Sequence, residues 1–233
     1  LHTRLKFRNM TNSAYIFLAG ASRGVGREIA RCLIQQGLQV KALLRTAATQ
    51  AELEAMGISV VFGDALNVED VERAMLGDPI STVISTIGGL PKDGVRADYL
   101  GNKNLIDAAV KAGVQKFILV SSIGSGNSVA AIPPQALATL KDVLAEKEQA
   151  ENYLVASGLT YTVIRPGGLK SEPATGNGLL TADPRIAGTI HRADVAQLIC
   201  RCLNSERADN QILSAVDRQM LYTPSQFEEF SLN

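Results

Sequence analysis

The chain has 233 residues, 46% hydrophobic and 20% charged, and its 23 Lys and Arg are balanced by 23 Asp and Glu. That composition supports a packed core and excludes a disordered chain, and with no net charge there is no basic field to hold nucleic acid or an anionic membrane surface. The longest apolar runs are strand-sized, whereas a spanning helix needs about 20 consecutive apolar residues, so no membrane span is expected.

Three cysteines and two histidines are too few for a disulfide framework or a zinc site, which points to a reducing compartment such as the cytoplasm. Cys200 and Cys202 read as buried core thiols on one helix. The first nine residues lack the apolar segment of about 7–15 residues that a secretory signal needs. Met10 is a candidate start, with residues 1–13 as an N-terminal extension and residues 14–233 as one domain.

In chain order, short β-branched runs alternate with stretches of helical period, the pattern of repeated βαβ units. Strands are predicted at residues 15–19, 40–44, 59–62, 82–87, 116–121, 161–164 and 211–215, seven in one sheet. Helices are predicted at 25–36, 49–56, 68–75, 96–112, 137–157 and 192–203. Gly37, Gly57, Gly113 and Gly158 each follow a helix end, where the left-handed conformation favours glycine. Residues 124–134 and 167–188 are rich in Gly, Pro, Ser and Asn and follow strands, so they read as loops at the carboxyl edge of the sheet, where ligands bind in open α/β folds. Asp194 is placed to complement a helix dipole, and residues 223–230 are predicted to form a docked helix. The fold class is therefore α/β, a doubly wound, mainly parallel sheet with a small C-terminal lid region.

The first unit carries the chemistry. Tyr15-Ile-Phe-Leu-Ala is a buried strand, Gly20-Ala-Ser22-Arg23-Gly24-Val25-Gly26 is a turn, and an amphipathic helix follows. Glycines there permit the tight turn, the approach of backbone to a pyrophosphate, and close helix–strand packing; the helix N-terminus offers N–H groups and a partial positive charge. At the end of the second strand, a carboxylate would bind the ribose hydroxyls of NAD. Here Arg45 stands in that place, and a guanidinium suits the 2′-phosphate of NADP. Arg23 is a second candidate cation.

The spacing G-x-x-x-G-x-G resembles that of the short-chain dehydrogenase/reductase superfamily. Together with the helix Tyr99-Leu-Gly-Asn-Lys-Asn-Leu-Ile-Asp-Ala-Ala, the strand Phe117-Ile-Leu-Val-Ser-Ser and the run Val163-Ile-Arg-Pro-Gly-Gly-Leu, it is most similar to the atypical, NmrA-like branch of that superfamily. Plant and cyanobacterial NAD(P)-binding Rossmann proteins belong there, including the dehydrogenase-like component of the chloroplast inner-envelope translocon. The resemblance implies a Rossmann fold, NADP(H) as cofactor, and the plastid stroma as the compartment if the source is a plant or alga. It assigns cofactor contacts to Gly20, Ser22, Arg23, Gly24, Val25, Gly26, Arg45, Asp64, Ala65, Thr86, Ile87, Gly88, Ser121, Lys147, Pro166, Gly167 and Gly168. Asp64 would face the adenine amino group, or else cap the following helix.

The superfamily's chemistry uses a tyrosine acid, a lysine four residues later and a serine. Ser122 matches the serine, although Ser121–Ser122 also suits a plain strand end, and Lys147 matches the lysine. Val143 stands where the tyrosine belongs, and Asp98 replaces an asparagine of the proton relay. Tyr99 and Lys103 fit Y-x-x-x-K in letters but lie on the wrong helix; Tyr153 and Tyr161 are substitute acids of lower standing. A valine delivers no proton, so carbonyl reduction is disfavoured, whereas hydride addition to a flavin or conjugated ring needs mainly positioning. Two functions follow from this: an NADPH-dependent oxidoreductase acting on an unidentified small molecule, or a non-catalytic NADP(H)-binding sensor, assembly factor or scaffold with a protein partner.

Overall fold

The computed structural model describes residues 14–89, 94–223 and 226–233; the N-terminal extension proposed for residues 1–13 lies outside them. Among the described residues there are ten strands: β1 (Tyr15–Ala19), β2 (Val40–Leu44), β3 (Ser59–Phe62), β4 (Ile80–Ser85), β5 (Lys116–Val120), β6 (Thr160–Pro166), β7 (Gly168–Lys170), β8 (Gly178–Thr181), β9 (Thr189–His191) and β10 (Gln211–Asp217). The same residues hold six α-helices: α1 (Gly24–Gln35), α2 (Gln50–Ala55), α3 (Val68–Leu76), α4 (Leu100–Lys111), α5 (Pro134–Ala156) and α6 (Arg192–Leu203).

Eight strands form one sheet in the order β3-β2-β1-β4-β5-β6-β10-β8, parallel except for β8 against β10. Side chains alternate across a strand, and β1 shows the result. Ile16 and Leu18 join α1 and α6 on one face through Ile29, Leu33, Val195 and Ile199. Phe17 and Ala19 face α3, α4 and α5 through Val71, Leu105 and Leu154. Burial on both faces is why β1, β2 and β5 read as nearly continuous apolar runs. The fold is a doubly wound Rossmann sheet.

Gly37, Gly57, Gly113 and Gly158 have φ of 72°, 89°, 67° and 82°, the left-handed stop anticipated after α1, α2, α4 and α5. The expected single sheet of seven strands is corrected in two ways. Residues 167–188 are not one loop, since they contain β7 and β8; β8 returns antiparallel to extend the main sheet, while β7 pairs with β9 in a separate two-stranded sheet. The docked helix is absent among the described residues of 223–230. Instead residues 226–233 run irregularly along β8, with the Phe230 N–H donating to the Leu180 carbonyl at 2.7 Å and the Thr181 hydroxyl donating to the Glu228 carbonyl at 2.8 Å.

Candidate dinucleotide-binding site

Strand order reverses between β1 and β4, so the crevice of the sheet opens at their carboxyl ends, as the ligand-binding crevice does in open α/β sheets. The two ends are bound to each other. The Thr86 N–H donates to the Ala19 carbonyl at 2.9 Å, and the Thr86 hydroxyl lies 3.3 Å from both the Ala19 and Gly20 carbonyls. A β-carbon on Gly20 would stand 2.2 Å from that hydroxyl oxygen. Gly20 and Gly24 also hold φ of 99° and 57°, which side chains disfavour.

The turn is braced from below by Arg27, a buried side chain that sequence reasoning missed. Its Nε donates to the Ala21 carbonyl at 3.1 Å, its Nη2 to the Ser22 carbonyl at 3.0 Å, and Nη1 pairs with Glu52. Its position one turn into α1, facing back toward the glycines, was the available signal. Ser22 and Arg23 are left exposed at the rim, while Val25 and Gly26 are buried beneath them.

The residues present fit a dinucleotide pyrophosphate. Arg23 is the N-cap of α1 and makes no side-chain capping bond, and the first turn holds no acidic residue. A cation at the positive end of a helix dipole is unfavourable by itself and becomes favourable when an anion lies between them.

Further along the edge, Arg45 is exposed just past β2. Asp64 accepts from the Leu66 N–H at 2.9 Å, and its own N–H donates to Asp70 at 3.0 Å. The alternative that Asp64 caps α3 is corrected, because Asn67 is the N-cap and accepts the Asp70 N–H at 3.1 Å. Ala65 is buried, and its carbonyl accepts from Asn104 at 2.9 Å.

Past β4, Gly88 runs against an ion pair. Lys147 Nζ lies 3.0 Å from Asp98 Oδ1, and Asp98 is fully buried. A β-carbon on Gly88 would be 2.3 Å from that oxygen and 3.1 Å from Nζ. The fold therefore brings Thr86, Ile87, Gly88, Asp98 and Lys147 to one edge.

At the ends of β5 and β6 the two serines differ. Ser122 is partly exposed and donates to the Ile123 carbonyl at 3.0 Å. Ser121 is buried and donates to Glu151, whose carboxylate also receives Arg165 Nη2 at 2.6 Å and Nε at 3.1 Å. Glu151 is an interior anion that the sequence reading did not single out. Arg165 is spent on it, so of the run 165–168 only Pro166, Gly167 and Gly168 remain as candidates. Tyr153 donates to Asp107 on the outer face of α4 and α5, and the bonded carboxylate pushes its pKa up, so it is no substitute acid there.

Asp194 does more than complement a dipole. It accepts the Thr175 and Gly176 N–H groups at 2.9 Å each, while Thr175 Oγ1 lies 2.5 Å from Asp217. These bonds pin residues 175–177 to α6 and β10. Next to them, a groove of about 390 Å³ is lined by Gly24, Arg27, Arg31, Ser171, Glu172 and Arg192 among others. Among the described residues no helix is long and apolar enough to cross a membrane.

Residues 20–206 match the NAD(P)H-binding family. A chloroplast protein of Arabidopsis thaliana, itself uncharacterised, is 32% identical over 221 residues, which covers 90% of this chain and 79% of that protein. Protein TIC 62, chloroplastic, of Pisum sativum is 34% identical over 210 residues; the match takes in 79% of this chain but 39% of the pea protein, so the chain spans well under half of that relative. Among solved structures, ChuY, an anaerobillin reductase from Escherichia coli O157:H7, is similar with a TM-score of 0.81 and 32% identity, covering 91% of this chain and 100% of ChuY. Taken with the glycine turn, the open helix end and the crevice between β1 and β4, these matches place the chain in the NAD(P)H-binding family, among the atypical, NmrA-like short-chain dehydrogenase/reductases.

Proposed function

We propose that this chain is an NADPH-dependent oxidoreductase that passes hydride to a flavin, quinone or other conjugated acceptor. The observation that carries the reading is the anion-ready end of α1, with its Arg23 cap and no acidic neighbour, combined with an edge that offers no tyrosine acid at residue 143. The likeness to a reductase at 32% identity supports the reaction class.

In this reading Ser22, Arg23, Gly24, Val25 and Gly26 hold the pyrophosphate, and Arg45 takes the 2′-phosphate. Asp64 and Ala65 flank the adenine. Thr86, Ile87 and Gly88 line the ribose side, where Lys147, fixed by Asp98, donates to the ribose hydroxyls. Ser121, Pro166, Gly167 and Gly168 wall the nicotinamide, and Ser122 orients the acceptor. The bound cofactor supplies a hydride, and solvent supplies the proton, because positioning against the ring is the main demand. Three free cysteines suit a reducing compartment, the cytoplasm or a plastid stroma.

A second reading, a non-catalytic NADP(H)-binding scaffold or sensor, is favoured by one observation. Ser121, Ser122, Arg165 and Lys147 all have internal partners. Likeness to the photosystem II assembly factor Ycf39 of Cyanophora paradoxa, 32% identical over 153 residues, adds a protein partner to that reading.

Calorimetric titration with NADPH and NADH, followed by absorbance of reduced nicotinamide after adding a flavin or quinone, separates them. Tight NADPH binding with oxidation supports the reductase. Binding without turnover across acceptors supports the scaffold, and no binding overturns both.

A further inference from the structure

Helices α1 and α6 pack side by side on one face of the sheet, and one contact sets their register. At their N-terminal ends, Gly24 lies against Arg192, whose Nε is 3.6 Å from where a Gly24 β-carbon would be. Eight residues further along each helix stand Cys32 and Cys200, about 12 Å up at roughly 1.5 Å per residue. The two helices therefore run parallel with the two cysteines at the same height, and Cys32 packs against the same core cluster that holds Cys200.

The pair is asymmetric. Cys200 is buried and Cys32 partly exposed. The Cys200 thiol neighbours the Cys32 sulfur, and Gln36 Nε2 donates a hydrogen bond to that sulfur from 3.7 Å. Those contacts lower the Cys32 pKa to about 7, against the opposing effect of burial, while the contact between the thiols and burial push Cys200 up. A partly exposed sulfur with thiolate character beside a second thiol is the arrangement of an attacking and a resolving cysteine. Cys202, two residues on, is fully buried, and burial raises it to about 11.

We propose that Cys32 and Cys200 form a reversible dithiol–disulfide site, a covalent latch between the helix that opens the dinucleotide cradle and the helix that anchors the lid segment. With hydrogen peroxide as oxidant, the Cys32 thiolate attacks one peroxide oxygen, the O–O bond breaks, and hydroxide leaves and takes a proton. The Cys200 sulfur, losing its proton, then attacks the Cys32 sulfenic sulfur and expels the second oxygen as water. Two thiols and one peroxide give one disulfide and two waters. An external dithiol reverses the step by exchange.

The test uses the chain without cofactor, so it is independent of the proposed reaction. Trypsin cuts after Arg31, Lys41, Arg192, Arg201 and Arg207, which puts Cys32, Cys200 and Cys202 in separate peptides, residues 32–41, 193–201 and 202–207. After peroxide, alkylation and non-reducing digestion, peptides 32–41 and 193–201 should be found joined, with accessible thiols in denaturant falling from three to one and returning with dithiothreitol. Cys202→Ser should keep the link. Cys32→Ser, a change at a partly exposed position, should abolish it and leave both remaining thiols reduced. The proposal is overturned if Cys32 oxidises without linking, if the link runs to Cys202 or between chains, or if all three thiols survive peroxide that oxidises a free cysteine peptide.

Discussion

Gly26 packs directly on the carbonyl of Gly20: a β-carbon there would stand 2.0 Å from the Gly20 oxygen and 2.7 Å from the Thr86 hydroxyl. The start of α1, the Gly20 backbone just past β1 and the Thr86 hydroxyl just past β4 thus meet at one point. Gly26→Ala must separate them. Overpacking of this kind typically costs about 1–3 kcal/mol, and here the strain falls on the cradle itself. We expect a lowered melting temperature together with loss of NADPH binding in calorimetry; an unchanged dissociation constant would show that the cradle lies elsewhere.

Arg45 is exposed at the end of β2 with no charged partner among the described residues. Arg45→Ala should weaken NADPH by between about ten and a hundred fold, the loss of a charge-assisted contact of about 1.5–3 kcal/mol. NADH affinity should stay the same within error. Equal effects on both cofactors would remove Arg45 as the selector.

Glu151 and Arg165 are 2% and 4% exposed and make a two-pronged ion pair. Glu151→Ala leaves a buried guanidinium uncompensated, which by precedent costs about 3–5 kcal/mol. The double variant Glu151→Leu, Arg165→Met should recover most of that in urea denaturation, because the lone charge is gone. Additive losses would mean that the pair does not act as a unit.

Cys32 should alkylate with a rate that climbs as pH rises through about 7, since only the thiolate reacts and it is populated above the pKa. Cys200→Ala removes the main bond holding that pKa down, so the midpoint should move up toward the ordinary 9.0. A profile unmoved by the substitution would show that Cys200 does not tune Cys32.

Much of the first half of the chain was legible because each signal was local. Strands β1, β2 and β3 are mainly apolar runs that each end at a glycine or an arginine, and the predicted bounds 15–19, 40–44 and 59–62 coincide with the observed strands. The glycine stops depend on one residue's backbone. What escaped depends on distant partners. Strand β8 is four residues, Gly-Leu-Leu-Thr, inside a stretch rich in Gly and Pro, and becomes a strand only because β10 offers Ser214 to Asp217 as partners. The predicted helix at 223–230 rested on two phenylalanines three apart; in fact Phe227 packs on the small cluster around Leu179 and Phe230 on the core face of α1 and α6, which an extended chain reaches and one helix face does not. In the site, the glycine turn was visible as a motif. Arg27 and Glu151 were not, because each acts through groups far away in sequence or hidden beneath the turn.

The strip formed by residues 226–232 has a consequence for how molecules of this protein meet one another. Strand β8 ends the sheet, and a bare outer strand is a template for a neighbouring chain to add to. Here the Leu180 carbonyl is taken by Phe230, the Thr181 hydroxyl by Glu228, and Leu232 is buried alongside. The tail caps that border much as a selvedge finishes woven cloth, and cutting it away would leave a raw rim on which copies could self-associate.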